Sequence, residues 1–159
     1  MQKSAVRDAI VAQLQSELDL QTRAAQDSRD EATSVENKAE GKYDMRSQEA
    51  AYLAEGQARL AAEIAEAISL YRTLDLPDFS AGHPVALGAL VTLETKGKKT
   101  VYFLGPHNGG LEVTVNDTAV LVVTPSSPLG RQLLGRVVGD SVQLPGRTAP
   151  VTHRVTALA

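Results

Sequence analysis

The run Thr124-Pro125-Ser126-Ser127-Pro128-Leu129-Gly130-Arg131-Gln132-Leu133-Leu134-Gly135-Arg136-Val137-Val138-Gly139-Asp140-Ser141-Val142 decides how the chain is read. Ser127 carries the side chain of a helix N-cap, an oxygen that accepts from a backbone N–H two or three residues on. Pro128 suits the first helical turn, where a missing N–H costs nothing. Leu129, Leu133 and Leu134 are expected to bury one face of a short helix, and Gly135 to end it. Gly139-Asp140 reads as a turn into a strand over 141–144.

Strand signals surround this helix. Residues 87–94 and 100–104 are apolar and β-branched, with Lys96-Gly97-Lys98-Lys99 between them as a turn. Gly109-Gly110 precedes a third run at 111–115, a fourth follows at 119–123, and 151–155 closes the series. Short strands at regular spacing with one short helix imply a small, twisted antiparallel sheet wrapped around that helix. Residues 85–159 are enough to fold alone, without a large stability reserve.

The first half of the chain obeys other rules. Residues 1–76 contain no proline and two glycines, whereas 77–159 hold all seven prolines and the other ten glycines. The first part carries nine Lys and Arg against fourteen Asp and Glu, the second seven against five. Such a shift marks a boundary, so 1–76 is expected as a helical segment, 77–84 as the linker and 85–159 as the β domain. Val11, Leu14, Leu18, Gln21, Ala25, Ser28 and Ala32 recur at spacings of three and four. So do Leu53, Gln57, Leu60, Ile64, Ala67, Tyr71 and Leu74. Each series predicts a narrow seam, and two such helices joined near 30–40 make an antiparallel coiled-coil hairpin with arms of roughly 45 Å. A seam this rich in alanine also fits a spacer, or a coiled coil completed by a partner.

Composition narrows the function. The chain has 159 residues and a mass of 16.9 kDa, with 43% hydrophobic and 22% charged residues, which is ordinary for a soluble protein. The absence of cysteine removes disulfides, thiolate metal sites and cysteine nucleophiles, and fits a reducing cytoplasm. A net charge of −3 excludes coating nucleic acid by bulk charge. No run reaches the roughly 20 apolar residues of a membrane span, and residues 1–10 have no apolar signal core.

The 124–142 run closely resembles the signature of the bacterial Gre transcript cleavage and elongation factors, in which Ser-Pro-[apolar]-[small]-x-x-Leu-[apolar]-Gly-Lys-x-x-Gly-Asp sits in an FKBP-like C-terminal domain. Arg136 stands here where the family often has Lys. The resemblance extends to the whole chain, because that family places an antiparallel coiled coil before the FKBP-like domain. It implies an α+β fold: a helical hairpin followed by a small FKBP-like antiparallel β domain with a short helix. It implies a cytoplasmic, monomeric partner of bacterial RNA polymerase, docked through Ser127, Pro128, Leu129 and Arg131, with the hairpin tip passing down the secondary channel toward the catalytic Mg²⁺ and the RNA 3′ end.

The expected tip holds Glu36 and Glu40, which share a helix face at i,i+4 spacing. Such carboxylates complement a helix N-terminus. What the resemblance implies is a catalytic role: Glu36 and Glu40 would help hold a Mg²⁺ shared with the polymerase and orient a water against the RNA phosphodiester. The free protein itself needs no cofactor on this reading. Lys38, Lys42 and Arg46 follow on a neighbouring face, as RNA contacts or as local partners of the glutamates. Cleaving members show Asp-[Leu]-x-Glu-Asn-Ala-Glu-Tyr at the tip. This chain has Glu36-Asn37-Lys38-Ala39-Glu40-Gly41-Lys42-Tyr43, and Thr33 where that Asp is expected. Two further readings therefore stand beside stimulated cleavage: a non-cleaving regulator of the secondary channel, like the regulator of nucleoside diphosphate kinase or of an anti-Gre type, and a structural coiled-coil homodimer.

Other chemistry finds no support in the residues. His83, His107 and His153 lack metal-ligand spacing. The turn at 105–110 lacks the Lys-[Ser/Thr] and the helix of a phosphate loop. An FKBP-like shape alone does not make a prolyl isomerase.

Overall fold

The structure is a computed structural model that describes residues 1–33, 45–79 and 82–159, without the side chains of Ala32, Arg46 and Ser47. Its elements are α1 (Lys3–Thr33), α2 (Met45–Arg72), β1 (Leu90–Thr95), β2 (Lys98–Leu104), β3 (Glu112–Val115), β4 (Thr118–Val123), α3 (Pro128–Leu133), β5 (Ser141–Leu144) and β6 (Val151–Leu158). They gather into two compact units, Met1–Val11 with Ser69–Ala159, and Ala12–Ile68. The division does not fall at Pro77, where the composition changes. Composition reports local propensity, whereas compactness also counts the helical residues that pack with the sheet. Val6, Ile10 and Tyr71 belong to the first unit and are fully buried.

The helical unit is a two-helix hairpin. On α1, Leu14, Ala25 and Ser28 are buried and Leu18 and Gln21 half-buried, which is the seam its spacing predicts. On α2 the seam is displaced by one residue at two positions. Ala50, Ala54, Ile64, Ala67 and Ile68 are buried, while Leu53 is 56% and Leu60 48% exposed. The predicted and observed stripes share Gln57, Ile64 and Ala67, and Tyr71 is buried as well, so the departure is confined to Leu53 and Leu60. Contact between the helices decides. Ser28 Oγ donates to Gln57 Oε1 at 3.0 Å, and Thr22, Ala25, Gln26 and Arg29 of α1 line a shallow groove with Ala58 and Ala61 of α2. Small side chains let two backbones approach, and the leucines are left outside. Tyr52, 74% exposed, is also outside the seam.

The other unit is a six-stranded sheet in the order β3-β4-β2-β1-β6-β5. β1–β2, β1–β6, β3–β4 and β5–β6 pair antiparallel as expected, and β2–β4 pair in parallel. The parallel pair follows from the connection: β3 lies between β2 and β4 in sequence and takes the outer position, so β4 returns beside β2 in the same direction. One face packs Val91, Leu93, Tyr102, Leu104, Val123, Val142 and Val155 with Leu133 of α3. Phe103, Val120 and Val122 alternate with these and are fully buried on the other face. Tyr71 belongs there too. Its hydroxyl donates to His107 O at 2.6 Å, and a Cβ on Gly105 would lie 2.5 Å from that hydroxyl and 3.1 Å from Val122. Only glycine fits at 105.

Candidate docking surface

The cap expected at Ser127 is present. Ser127 has extended backbone, its Oγ accepts from Gly130 N at 3.0 Å, and its hydroxyl donates to Thr124 O at 2.7 Å. Pro128 opens α3, and Arg131 N donates to Ser127 O at 2.9 Å as the first regular helical bond. A Cβ on Gly130 would meet Thr124 O at 1.8 Å, so the loop before the helix lies directly against its first turn. At the far end Gly135 adopts φ +76° beyond the last turn, the left-handed position that favours glycine. Gly135 N donates to Val85 O and Val85 N to Arg136 O, which ties the end of α3 to the residues before β1.

Gly139-Asp140 is a latch rather than a display. Asp140 Oδ2 accepts from Val137 N at 3.0 Å, while Gly139 N donates to Val155 O and Val155 N to Asp140 O, both at 2.8 Å. Gln132 makes a second latch that sequence reading missed. Its amide donates to Gln143 O and accepts from Gln143 N, both at 2.8 Å, so it pairs with the outer edge of β5 as a neighbouring strand would. A mid-helix glutamine gives no sign of this until β5 is placed beside it.

The four residues expected to dock therefore split by role. Ser127 is half-buried and holds the cap. Leu129 is half-buried against the core. Pro128 and Arg131 are exposed, and the Arg131 guanidinium donates to Ser126 O at 2.6 Å, which folds it back over the cap. Leu134, expected in the core, is 42% exposed, and Val138 is 47% exposed. These two apolar side chains extend the outward surface beyond the expected set. A six-residue helix has too few turns to bury both members of a Leu-Leu pair. Beside α3 lies a groove of about 460 Å³, lined by Leu121, Pro128, Leu129, Gln132, Leu144 and Pro145 among others. No acid, base or nucleophilic thiol lines it. The arrangement suits contact with another molecule, not acid–base catalysis.

The expected tip residues Glu36, Lys38, Glu40 and Lys42 lie outside the described residues, as does the Arg46 side chain. Thr33, the last described residue of α1, donates its hydroxyl to Arg29 O at 3.0 Å and so offers no carboxylate. Among the described residues no group of three His, Asp or Glu could hold a metal ion, and no helix is long and apolar enough to cross a membrane.

No protein-family model and no curated protein matches the sequence. Among solved structures, the chain is similar to GreA factor homolog 1 (Gfh1) of Thermus thermophilus, at 21% identity over 95% of both chains with a TM-score of 0.38. It is similar to Thermus aquaticus Gfh1, at 22% identity over 95% of this chain and 94% of that one, with a TM-score of 0.39. It is also similar to the prokaryotic transcription elongation factor GreA/GreB from Nitrosomonas europaea, at 18% identity over 65% of this chain and 78% of that one, with a TM-score of 0.39. At such identities and scores these likenesses lend no weight to an activity, and the functional reading rests on the residues of the 124–142 run and the hairpin.

Proposed function

We propose that the chain is a Gre-type transcription elongation factor that binds bacterial RNA polymerase at its secondary channel and stimulates cleavage of backtracked RNA. The observation that carries this reading is the 124–142 run. Ser127, Gly130 and Gly135 shape a short capped helix and Gly139-Asp140 latch the turn after it, while Pro128 and Arg131 on the helix and Leu134 and Val138 just beyond it are exposed. A motif used only for folding would not need that outward set. The hairpin supports the reading in its length. The 31 residues of α1 extend roughly 46 Å at 1.5 Å per residue. The chain would act as a cofactor of the polymerase, whose own active site carries the chemistry. Glu36 and Glu40 would supply hard oxygen ligands to a shared Mg²⁺, the donor type that ion prefers. Lys38, Lys42 and Arg46 would meet the RNA.

One observation favours the second reading, a non-cleaving regulator: Thr33 stands at the expected Asp position and its hydroxyl is tied to its own helix. The test is RNA cleavage in a backtracked elongation complex, with and without the protein and Mg²⁺. Stimulated release of 3′ fragments, lost in the Glu36→Ala/Glu40→Ala double variant with binding intact, supports the proposal. Binding without cleavage moves the assignment to the regulator. Absence of binding leaves the fold alone.

A further inference from the structure

The two tight turns of the sheet have the same geometry and different residues. β3 and β4 are joined through Asn116 (φ 49°) and Asp117 (φ 58°), and β1 and β2 through Lys96 (φ 48°) and Gly97 (φ 78°). Both are two-residue turns with positive φ at both central positions. Asn and Asp tolerate that conformation through local hydrogen bonding, and glycine enters it freely. Lysine has neither excuse. Lys98 and Lys99 follow at once, so three cations crown one hairpin. Lys99 reaches Glu94 at 3.9 Å with its side chain 65% exposed, while Lys96 and Lys98 make no ion pair among the described residues. Arg154 on β6 lies opposite the same Glu94 and extends the positive ground by a strand.

Protection of a sheet edge does not explain these lysines, because β1 and β2 are interior strands and the edges are β3 and β5. Solubility does not either, since it requires no lysine at a left-handed position. We infer that the Lys96-Gly97-Lys98-Lys99 tip is a phosphate-contacting surface for double-stranded nucleic acid. Lysine serves phosphate as a mobile point charge, and residues 96–99 are all exposed at one end of the sheet, where a nucleic-acid backbone can reach them. Thr95 and Thr100 flank the tip, whereas the nearest aromatic rings, Tyr102 and Phe103, are buried. Bases therefore find no platform to stack on, which favours a duplex backbone over a single strand and contact without sequence preference. The overall charge of −3 excludes coating by bulk charge and leaves this local patch untouched. The inference is independent of the proposed polymerase docking.

The experiment is fluorescence anisotropy of a labelled duplex of about 20 base pairs with the full chain, across salt concentrations. The wild type is expected to bind weakly, with affinity falling as roughly the second to third power of salt, as expected for about three phosphate contacts. The Lys96→Ala/Lys98→Ala/Lys99→Ala variant is expected to lose at least about tenfold in affinity and most of that salt dependence. Lys96→Asn separates charge from geometry: it should raise the Tm by about 2–5 °C while weakening duplex binding. A wild type that ignores duplex at low salt, or a triple variant that binds as well as wild type, overturns the inference.

Discussion

Phe103 and Ala54 sit on the buried sides of the two compact units and fill them in opposite ways. The sheet unit is closed by bulk: Phe103, Leu93, Leu104 and Leu133 are all fully buried. The hairpin unit buries Leu14, Ile64 and Ile68 at one end, but the rest of its seam is closed by smallness: Ala25, Ala50 and Ala54 occupy it, with Ser28 bonded across it to Gln57. Bulk stabilises through area removed from water, at about 25 cal/mol per Å². Smallness gains close backbone approach but little area, so the hairpin draws less free energy per residue from burial. The sheet unit is thus the stable platform and the hairpin the weakly reinforced arm. If the comparison holds, Phe103→Ala is more damaging than any single substitution in the hairpin seam, costing about 3–5 kcal/mol in a denaturant melt. A cost below about 1 kcal/mol would mean that the sheet core is not close-packed.

The same contrast explains what was legible in the sequence. The short strands were readable to within a few residues, because Phe103, Val120 and Val122 sit in β-branched and aromatic runs whose burial a strand accommodates. Ser127, Pro128 and Gly135 announced the helix ends through chemistry that acts within a few residues. On α1 the alternatives to the observed seam are polar, and the stripe was found. On α2 leucine and alanine compete at adjacent positions, and hydrophobicity chose Leu53 and Leu60 where packing chose Ala54 and Ala61. The parallel β2–β4 pair and the Gln132–Gln143 latch join residues through contacts that no local pattern encodes. Of the candidate site, the docking helix was legible down to its cap. The outward turn of Leu134 and Val138 was not, because it depends on how many turns α3 completes.

A pair of neighbouring substitutions breaks or sharpens the seam assignment. Ala54→Leu forces a branched side chain between two close helices and should cost about 1–3 kcal/mol by overpacking. Leu53→Ala, one residue away on an exposed face, should stay within about 0.5 kcal/mol of wild type. Thermal melts of the two variants decide it. The reverse ranking would return the seam to the leucines.

Tyr71 tests the comparison from the other side, as a helical residue that follows the rules of the sheet. It is fully buried, and burial pushes its phenol far above the usual tyrosine range. The phenol donates to His107 O only while it holds its proton. In the unfolded chain it ionises near pH 10. The native state therefore binds this proton more tightly than the unfolded state does. Its contribution is fully present below about pH 10 and is lost as pH rises beyond that, by up to about 1.4 kcal/mol per pH unit. Tyr71→Phe keeps the ring and removes the titration. At neutral pH it should cost only about 1 kcal/mol, because His107 is exposed and its carbonyl can turn to water. Above pH 10 the variant should lose stability more slowly than wild type, so the two curves converge and then cross. Tyr102, raised in the same direction by burial, remains in both proteins and cancels from the difference. Parallel curves would place Tyr71 in water and detach the end of α2 from the sheet's buried face.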